Sequence, residues 1–285
     1  MKKLGMVLEG GGMRGVYTAG VLDFFMDRDF YPDGIAGVSA GACHAVSYIS
    51  KQKGRNYRVN TSYLKGKEYL SLHSLIKNGS LFGMDFIFHK IPEELDPFDY
   101  DAYGKANIDF ISVCTDMESG QPYYHIIKDP KQDIDYIMAS SSLPLLSPPV
   151  ERNGRKLMDG GVADSIPIDF MRKRGYEKNI VVLTQFGGYR KGKNNLMPII
   201  RYQYKNYPLF VKAMEERHIH YNETLDELAR LEKEGSVFII RPSKPVTISR
   251  LEKNLDKLYA LYQEGYQDAQ NQYTKMMEFV KQANQ

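Results

Sequence analysis

Two strand-to-helix junctions built from glycine and small residues lie within the first 45 positions, and they constrain the fold more than anything else in the chain. Leu4–Leu8 is a short apolar strand, followed by Gly10-Gly11-Gly12. Residues 13–27 then place Thr18, Val21, Leu22 and Phe25 at helical spacing. Tyr31-Pro32-Asp33-Gly34 is a turn, Ile35–Val38 a second apolar strand, and Ser39 closes it before Ala40, Gly41, Ala42 and Ala45 open another helix. Strand–helix–strand–helix on such short connections admits few solutions. The strands run parallel, the crossovers are right-handed, and helices cover the sheet. The expectation is an α/β fold, three layers α/β/α around a central, mostly parallel sheet.

The remainder of the chain extends that pattern. Residues 54–104 mix helix and loop, and Ile108–Cys114 with Tyr123–Ile127 reads as a hairpin. Asp133–Ser142 reads as a helix ended by Pro144, and Asn179–Thr184 as a strongly apolar strand. Residues 198–233 are helical in pattern, Val237–Ile240 is a late strand, and a long charged helix is expected from Ile248 to about Ala283. The late strand implies a chain that leaves the sheet, makes helices and returns. The organisation expected is a catalytic domain over 1–185, its sheet completed by 237–240, with 186–285 a mainly helical extension packed on it.

At 285 residues, 42% hydrophobic and 26% charged, with mean hydropathy −0.44, the chain is no disordered segment, collagen-like repeat or membrane-spanning bundle. A net charge of +3 is too mild to argue for nucleic acid. It is unevenly placed: residues 1–185 carry −1 and residues 186–285 carry +4. Two distant cysteines, Cys43 and Cys114, make no disulfide framework, so a reducing cytoplasmic setting is expected. The apolar run behind Met1-Lys2-Lys3 ends at Glu9, too soon for a secretory leader.

Three motifs can carry chemistry. Gly10-Gly11-Gly12-Met13-Arg14-Gly15 fits G-x-G-x-x-G, a bend whose bare N–H groups can crowd an anion at a helix start. A dinucleotide site would want an acid at the end of the second strand, yet Asp33 lies before that strand. Gly37-Val38-Ser39-Ala40-Gly41 is a G-x-S-x-G at a strand–helix junction, where a strained turn exposes the serine. The plainer reading is a serine that only caps its helix. Asp159-Gly160-Gly161 is a turn by itself, and gains weight because a serine nucleophile needs a proton acceptor. That acceptor is Asp159 or a histidine. The order Ser39, Asp159, then His218 or His220 matches the α/β-hydrolase triad, although a nucleophile on the second strand does not.

The three motifs together, with Ala139-Ser140-Ser141-Ser142-Leu143-Pro144 ahead of the third, resemble the patatin-like phospholipase family, in the form of bacterial members with a helical C-terminal extension. The resemblance covers about residues 4–185. It implies a serine acyl hydrolase that cleaves lipid esters through a Ser39–Asp159 dyad and an acyl-enzyme, with no histidine, metal or cofactor. Gly10, Gly11, Gly12 and the N–H of Met13 would form the oxyanion hole, and Arg14 would fix the loop. Gly15, Gly37, Gly41, Gly160 and Gly161 would support the motifs. Many relatives have Asn shortly after Asp-Gly-Gly, where this chain has Asp164-Ser165. A direct Asp159–Ser39 hydrogen bond is expected, and burial beside an acyl channel would suit the carboxylate to act as a base.

Leu81-Phe82-Gly83-Met84 with Phe86 and Phe88 either lines that channel or packs the core. Residues 199–214 interleave Arg201, Lys205 and Lys212 with tyrosines, Leu209 and Phe210. Such a helix either rests on an anionic bilayer, making the protein peripheral to the membrane inner face, or packs on the sheet. The competing functions are a Ser-Asp-His esterase, a nucleotide binder using the glycine loop, and a non-catalytic acyl binder.

Overall fold

The computed structural model describes residues 3–282. Met1 and Lys2 of the basic start, and Ala283 at the expected end of the last helix, lie outside the described residues. The strands are β1 (Leu4–Leu8), β2 (Gly34–Val38), β3 (Asp109–Asp116), β4 (Pro122–Ile126), β5 (Val150–Arg152), β6 (Arg155–Asp159), β7 (Lys178–Val182) and β8 (Val237–Ile240). They form one sheet in the order β5-β6-β3-β2-β1-β7-β8, with β4 also paired to β3. The run β3-β2-β1-β7-β8 is parallel, and the hairpin strands β4, β5 and β6 are antiparallel.

Strand side chains alternate between two cores, as the period of two requires. Met6, Leu8, Ile35 and Phe110 face one side, with α1 (Val16–Asp27) and α2 (Ala40–Ile49). Val7, Ala36, Ile111 and Val181 face the other. The helices between are α3 (Arg55–Thr61), α4 (Leu72–Asn78), a π-helix at Phe86–Leu95, α5 (Tyr100–Lys105), α6 (Ile134–Ser140), α7 (Ile168–Lys173) and α8 (Met197–Gln203). They are followed by α9 (Pro208–Lys233) and α10 (Leu255–Gln282). Ile168 and Met171 of α7 and Tyr221, Leu228 and Leu231 of α9 complete the second core, and Leu258, Ala269 and Met276 of α10 join the first. This is a three-layer α/β/α architecture around a mostly parallel sheet.

The last hundred residues are built into that architecture. β8 extends the sheet beside β7, and α10 lies against α1 closely enough that only hydrogen fits at the contacts. A Cβ on Gly20 would sit 2.0 Å from the Tyr262 carbonyl oxygen, and one on Gly265 2.1 Å from that of Tyr17. Tyr17 Oη donates to Asp268 at 3.0 Å and Tyr262 Oη to Asp23 at 2.7 Å across the same contact.

Two helices differ from the sequence reading. Residues 198–233 are two helices, because Pro208 lacks an N–H and holds the preceding residues out of the helical region. The last helix starts at Leu255 and not Ile248. Asn254 Oδ1 accepts the Lys257 N–H at 3.0 Å as its cap, and Arg250 ahead of it lies against the glycine loop.

Candidate active site

The strand registers bring Ser39 and Asp159 to one place. β4 holds one edge of β3 over Ile111–Thr115, so β2 and β6, which pair with β3 at overlapping positions, must share the other edge. β2 runs along it as far as the Val38–Val113 pair, and β6 comes down it as far as the Asp159–Cys114 pair. The two strand ends therefore meet head on, one residue apart along β3. Ser39 leaves β2 with φ 54° and ψ −123°, a left-handed strain that a non-glycine residue adopts only where its surroundings enforce it. The flanking glycines permit the bend. A Cβ on Gly37 would lie 2.7 Å from Ala42 Cα, and one on Gly41 2.3 Å from the Leu8 carbonyl oxygen.

Asp159 is buried at the N-cap of a single turn, Gly160–Val162, where its Oδ1 accepts the Gly161 N–H at 2.8 Å. A Cβ on Gly160 would strike the Val113 carbonyl oxygen at 2.0 Å, so the turn sits directly on β3. Asp159 Oδ2 is buried without a hydrogen-bond partner. The direct Asp159–Ser39 hydrogen bond expected from the sequence is thus not formed in this structure; such bonds are often long before substrate closes the site. Asp164 and Ser165 lock the next loop. Asp164 accepts Tyr124 Oη at 2.7 Å, and Ser165 Oγ donates to the Gly161 carbonyl at 2.8 Å.

The glycine loop lies against the same serine. A Cβ on Gly10 would be 2.8 Å from Ser39 Cβ, one on Gly11 2.8 Å from Thr184 Oγ1, and one on Gly15 2.8 Å from Ala40 Cβ. Gly12 has φ +55°, and a Cβ there would meet the Arg250 carbonyl oxygen at 2.6 Å. The N–H groups of Gly10, Gly11 and Gly12 have no partner among the described residues. Met13 differs from its sequence reading: its N–H donates to the Arg250 carbonyl at 3.0 Å and is not free. Arg14 differs too. Its side chain makes no hydrogen bond to the loop, lines the cavity over Ser39 and leaves a buried Nε unpartnered.

Residues that the motifs do not name hold this geometry. Ser140 Oγ accepts the Ser39 N–H at 2.8 Å and donates to the Val113 carbonyl at 2.6 Å, while the Ser142 carbonyl accepts the Asp159 N–H at 2.9 Å. One serine run thus fixes both partners. Glu9 accepts the Thr184 N–H at 2.6 Å and Tyr221 Oη at 2.7 Å, tying the loop to β7 and α9. None of the six histidines lines the cavity shared by Ser39 and Asp159. His218 Nδ1 lies 2.9 Å from the Glu215 carbonyl oxygen, and exposed His220 pairs with Glu223. Buried His44, pushed down to about 4 by desolvation, borders the neighbouring apolar cavity. Asp33 accepts the Leu4 N–H at 2.7 Å at the opposite end of the strands, which removes the acid that a dinucleotide site needs.

Ser39 stands between two cavities of opposite character. The first, about 20 Å³, is shared with Asp159 and the glycine loop. The second, about 80 Å³, is lined by Met13, Val59, Phe82, Met84, Ile87 and Phe88 among others. It continues through Cys43, Val59, Ile87 and Phe88 into a third, about 70 Å³, beside Phe98 and Ile137. Phe82, Met84 and Phe88 of the expected acyl channel therefore line it, and Phe86 faces a separate groove.

The chain is 29% identical over 188 residues to YjjU of Escherichia coli (strain K12), an uncharacterized protein, covering 64% of this chain and 52% of that one. It is 28% identical over 180 residues to Lysophospholipase NTE1 of Saccharomyces cerevisiae, covering 60% of this chain and 10% of that protein. The chain thus spans about half the length of the first relative and about a tenth of the second. Among solved structures, the type III effector protein ExoU superposes with a TM-score of 0.41 at 10% identity, covering 99% of this chain and 53% of that one. Residues 207–281 match a domain of unknown function, DUF6363. Residues 6–172 match the patatin-like phospholipase family, and since that stretch holds more than half of the chain with both the glycine loop and the Asp159 turn, the chain belongs to the patatin-like phospholipase family.

Proposed function

We propose that the protein is a serine acyl hydrolase that cleaves lipid carboxylic esters, with Ser39 as nucleophile and Asp159 as general base. The observation that carries this reading is the head-on meeting of β2 and β6, which sets a strained serine beside a buried carboxylate with a free oxygen. Membership of the family, and relatives named lysophospholipases, support a lipid ester as substrate.

Ser39 Oγ attacks the ester carbonyl carbon and passes its proton to Asp159 Oδ2. The negative charge on the former carbonyl oxygen is held by the N–H groups of Gly10, Gly11 and Gly12, donors fixed before the reaction begins. The tetrahedral intermediate collapses, the ester C–O bond breaks, and Asp159 returns the proton to the departing alcohol. Water then attacks the acyl-enzyme, again giving a proton to Asp159, and the fatty acid leaves with Ser39 regenerated. The apolar cavities hold the acyl chain.

Ser39→Ala and Asp159→Asn should each lower ester hydrolysis by about a thousandfold or more while the protein stays folded. A fluorophosphonate should label Ser39 in the wild type. Full activity in either variant, or a label elsewhere, refutes the assignment. Changing His218 and His220 to Gln should leave the rate largely intact, whereas collapse would favour a triad.

We place the protein in the cytoplasm, resting at the membrane surface. α8 and the start of α9 expose Ile199, Tyr202 and Leu209 beside Arg201, Lys205 and Lys212, while Ile200, Tyr204, Phe210 and Met214 turn inward. Among the described residues no helix is long and apolar enough to cross a membrane. Sedimentation with anionic vesicles at low salt should carry the protein down, and failure to do so removes this part.

A further inference from the structure

The cavity over Asp159 is unusually cationic for its size. Arg14 on the glycine loop, Lys191 after β7, Arg217 on α9 and Arg250 before α10 all line it. It holds two acids as well: Glu9 accepts from Thr184 and Tyr221, and Asp159 accepts the Gly161 N–H through Oδ1 and keeps Oδ2 free, so both carboxylates attract Arg217 without bonding to it. Among the described residues, none of these four side chains has a salt bridge or a side-chain hydrogen bond. Arg14 Nε and Arg217 Nε are buried with no partner, and Lys191 Nζ lies over the Tyr221 ring, 4.1 Å from its centroid. A guanidinium withdrawn from water without a hydrogen-bonded anion is costly, and three of them beside Lys191 on one cavity repel one another.

The cavity also has a defined place in the reaction. Ser39 borders both it and the apolar channel, but Asp159 borders only this one. If the acyl chain occupies the apolar side, the alcohol that Asp159 protonates leaves on the cationic side. We infer that Arg14, Lys191, Arg217 and Arg250 form a subsite for a phosphate group on the alcohol portion of the ester, so that the enzyme selects lipids whose headgroup is net negative. This rests on the hydrolase reading above and deepens it. Phosphate oxygens match the arginine fork, two N–H groups to two oxygens. A quaternary ammonium would meet three arginines here, which outnumber the two carboxylates of Glu9 and Asp159. At about 20 Å³ the cavity holds about one water. A phosphate is larger than that, so its entry parts the long Arg14, Lys191, Arg217 and Arg250 side chains that line the cavity.

The test compares a lysophosphatidate, the matched monoacylglycerol and the matched lysophosphatidylcholine at fixed chain length and ionic strength. The wild type should favour the lysophosphatidate over both by tenfold or more in kcat/KM. Arg217→Met or Arg250→Met should cut that preference at least tenfold, chiefly through KM. Arg250 lies on a loop, so its variant carries the test if Arg217→Met fails to fold. In parallel, glycerol 3-phosphate, but not glycerol, should raise the Tm of full-length Ser39→Ala protein, and lose that effect in the arginine variants. An unchanged preference in a folded variant, or a wild-type preference for the choline ester, overturns the proposal. Protection by inorganic phosphate with no discrimination among the esters makes the pocket a free-anion site and overturns it too. If the wild type hydrolyses no ester, the Ser39 reading falls, while glycerol 3-phosphate binding to Ser39→Ala still decides the subsite.

Discussion

The two sides of Ser39 are built in opposite ways. The apolar side comes mainly from residues 43–100, joined by Met13 of the first junction and by Pro130, Ile134, Ile137, Ser141 and Leu143 around α6, and its walls are mostly side chains that would pack wherever they were placed. The cationic side draws on the glycine loop, the segment after β7, α9 and the β8–α10 connection, which are remote in sequence. On the proposed reading, the first side would offer general affinity and grade substrates by length. The second offers a few long, charged side chains held without partners, an arrangement suited to selecting one chemical group. Ser39 and the glycine loop belong to both, so a change there should abolish the distinction, and a change in either wall should expose it.

The largest effect is expected at the shared point. Gly10→Val would drive a side chain into Ser39 Cβ at 2.8 Å and the Val38 carbonyl oxygen at 2.9 Å. Displacing the nucleophile by about an ångström lowers rate on the order of a hundredfold. The loss should be equal for acidic and neutral, long and short esters, as initial rates on such a panel would record. A loss confined to one ester class would mean that Gly10 belongs to one wall alone.

The shared point was also the most legible part of the sequence, for a physical reason. A strained serine and a close backbone approach demand glycine at fixed offsets, so Gly10, Gly37 and Gly41 are visible as letters. The three-layer fold was readable for the same reason: period-two strands and short glycine junctions are local signals. Phe82, Met84 and Phe88 were visible as an apolar cluster, though nothing in the sequence separates a channel wall from a core. The positioning roles of Ser140 and Ser142 were not visible, because each acts through a single hydrogen bond to a residue about 20 or 100 positions away. Lys191, Arg217 and Arg250 were visible only as part of the +4 charge of residues 186–285, and a count cannot say which cations turn inward. The helix break at Pro208 could have been read, since proline removes its own N–H. The loop ending at Asn254 could not, because its purpose is the tertiary bond from Met13 to Arg250.

A change in the apolar wall should give a smaller and selective effect. Val59 lines both apolar cavities, and Val59→Trp would fill the passage between them. Excluding two methylenes of an acyl chain removes about 1.6 kcal/mol of burial, roughly a tenfold to fifteenfold loss in kcat/KM. Long-chain esters should lose that much, acetyl esters should lose little, and the preference for a charged headgroup should persist. Equal loss across chain lengths would place the acyl group elsewhere.

The smallest effect should appear in stability and mark the other wall. Lys191 is pushed down to about 6 from its ordinary 10.5, first by burial, then by Arg217, Arg250 and Arg14, against the opposing pull of Glu9. Asp159, Tyr189 and Tyr221 complete the groups that face this cavity. Between about pH 6 and pH 10.5 the unfolded chain keeps the Lys191 proton while the folded chain has released it. Stability from this group therefore rises with pH across that window and is lowest below it. Lys191→Met removes the dependence. Because the lysine is part exposed, the gain at pH 7 should be only about 1 kcal/mol, shrinking toward pH 10, in denaturant titrations at several pH values. Saturating glycerol 3-phosphate should flatten the wild-type profile in the same way, since a bound anion restores the proton that burial and the neighbouring arginines drive off. Val59→Trp, on the apolar wall, should leave the slope untouched. If the Lys191→Met profile runs parallel to the wild type, the lysine is not held in the field of Arg14, Arg217 and Arg250, and the electrostatic contrast between the two walls is lost.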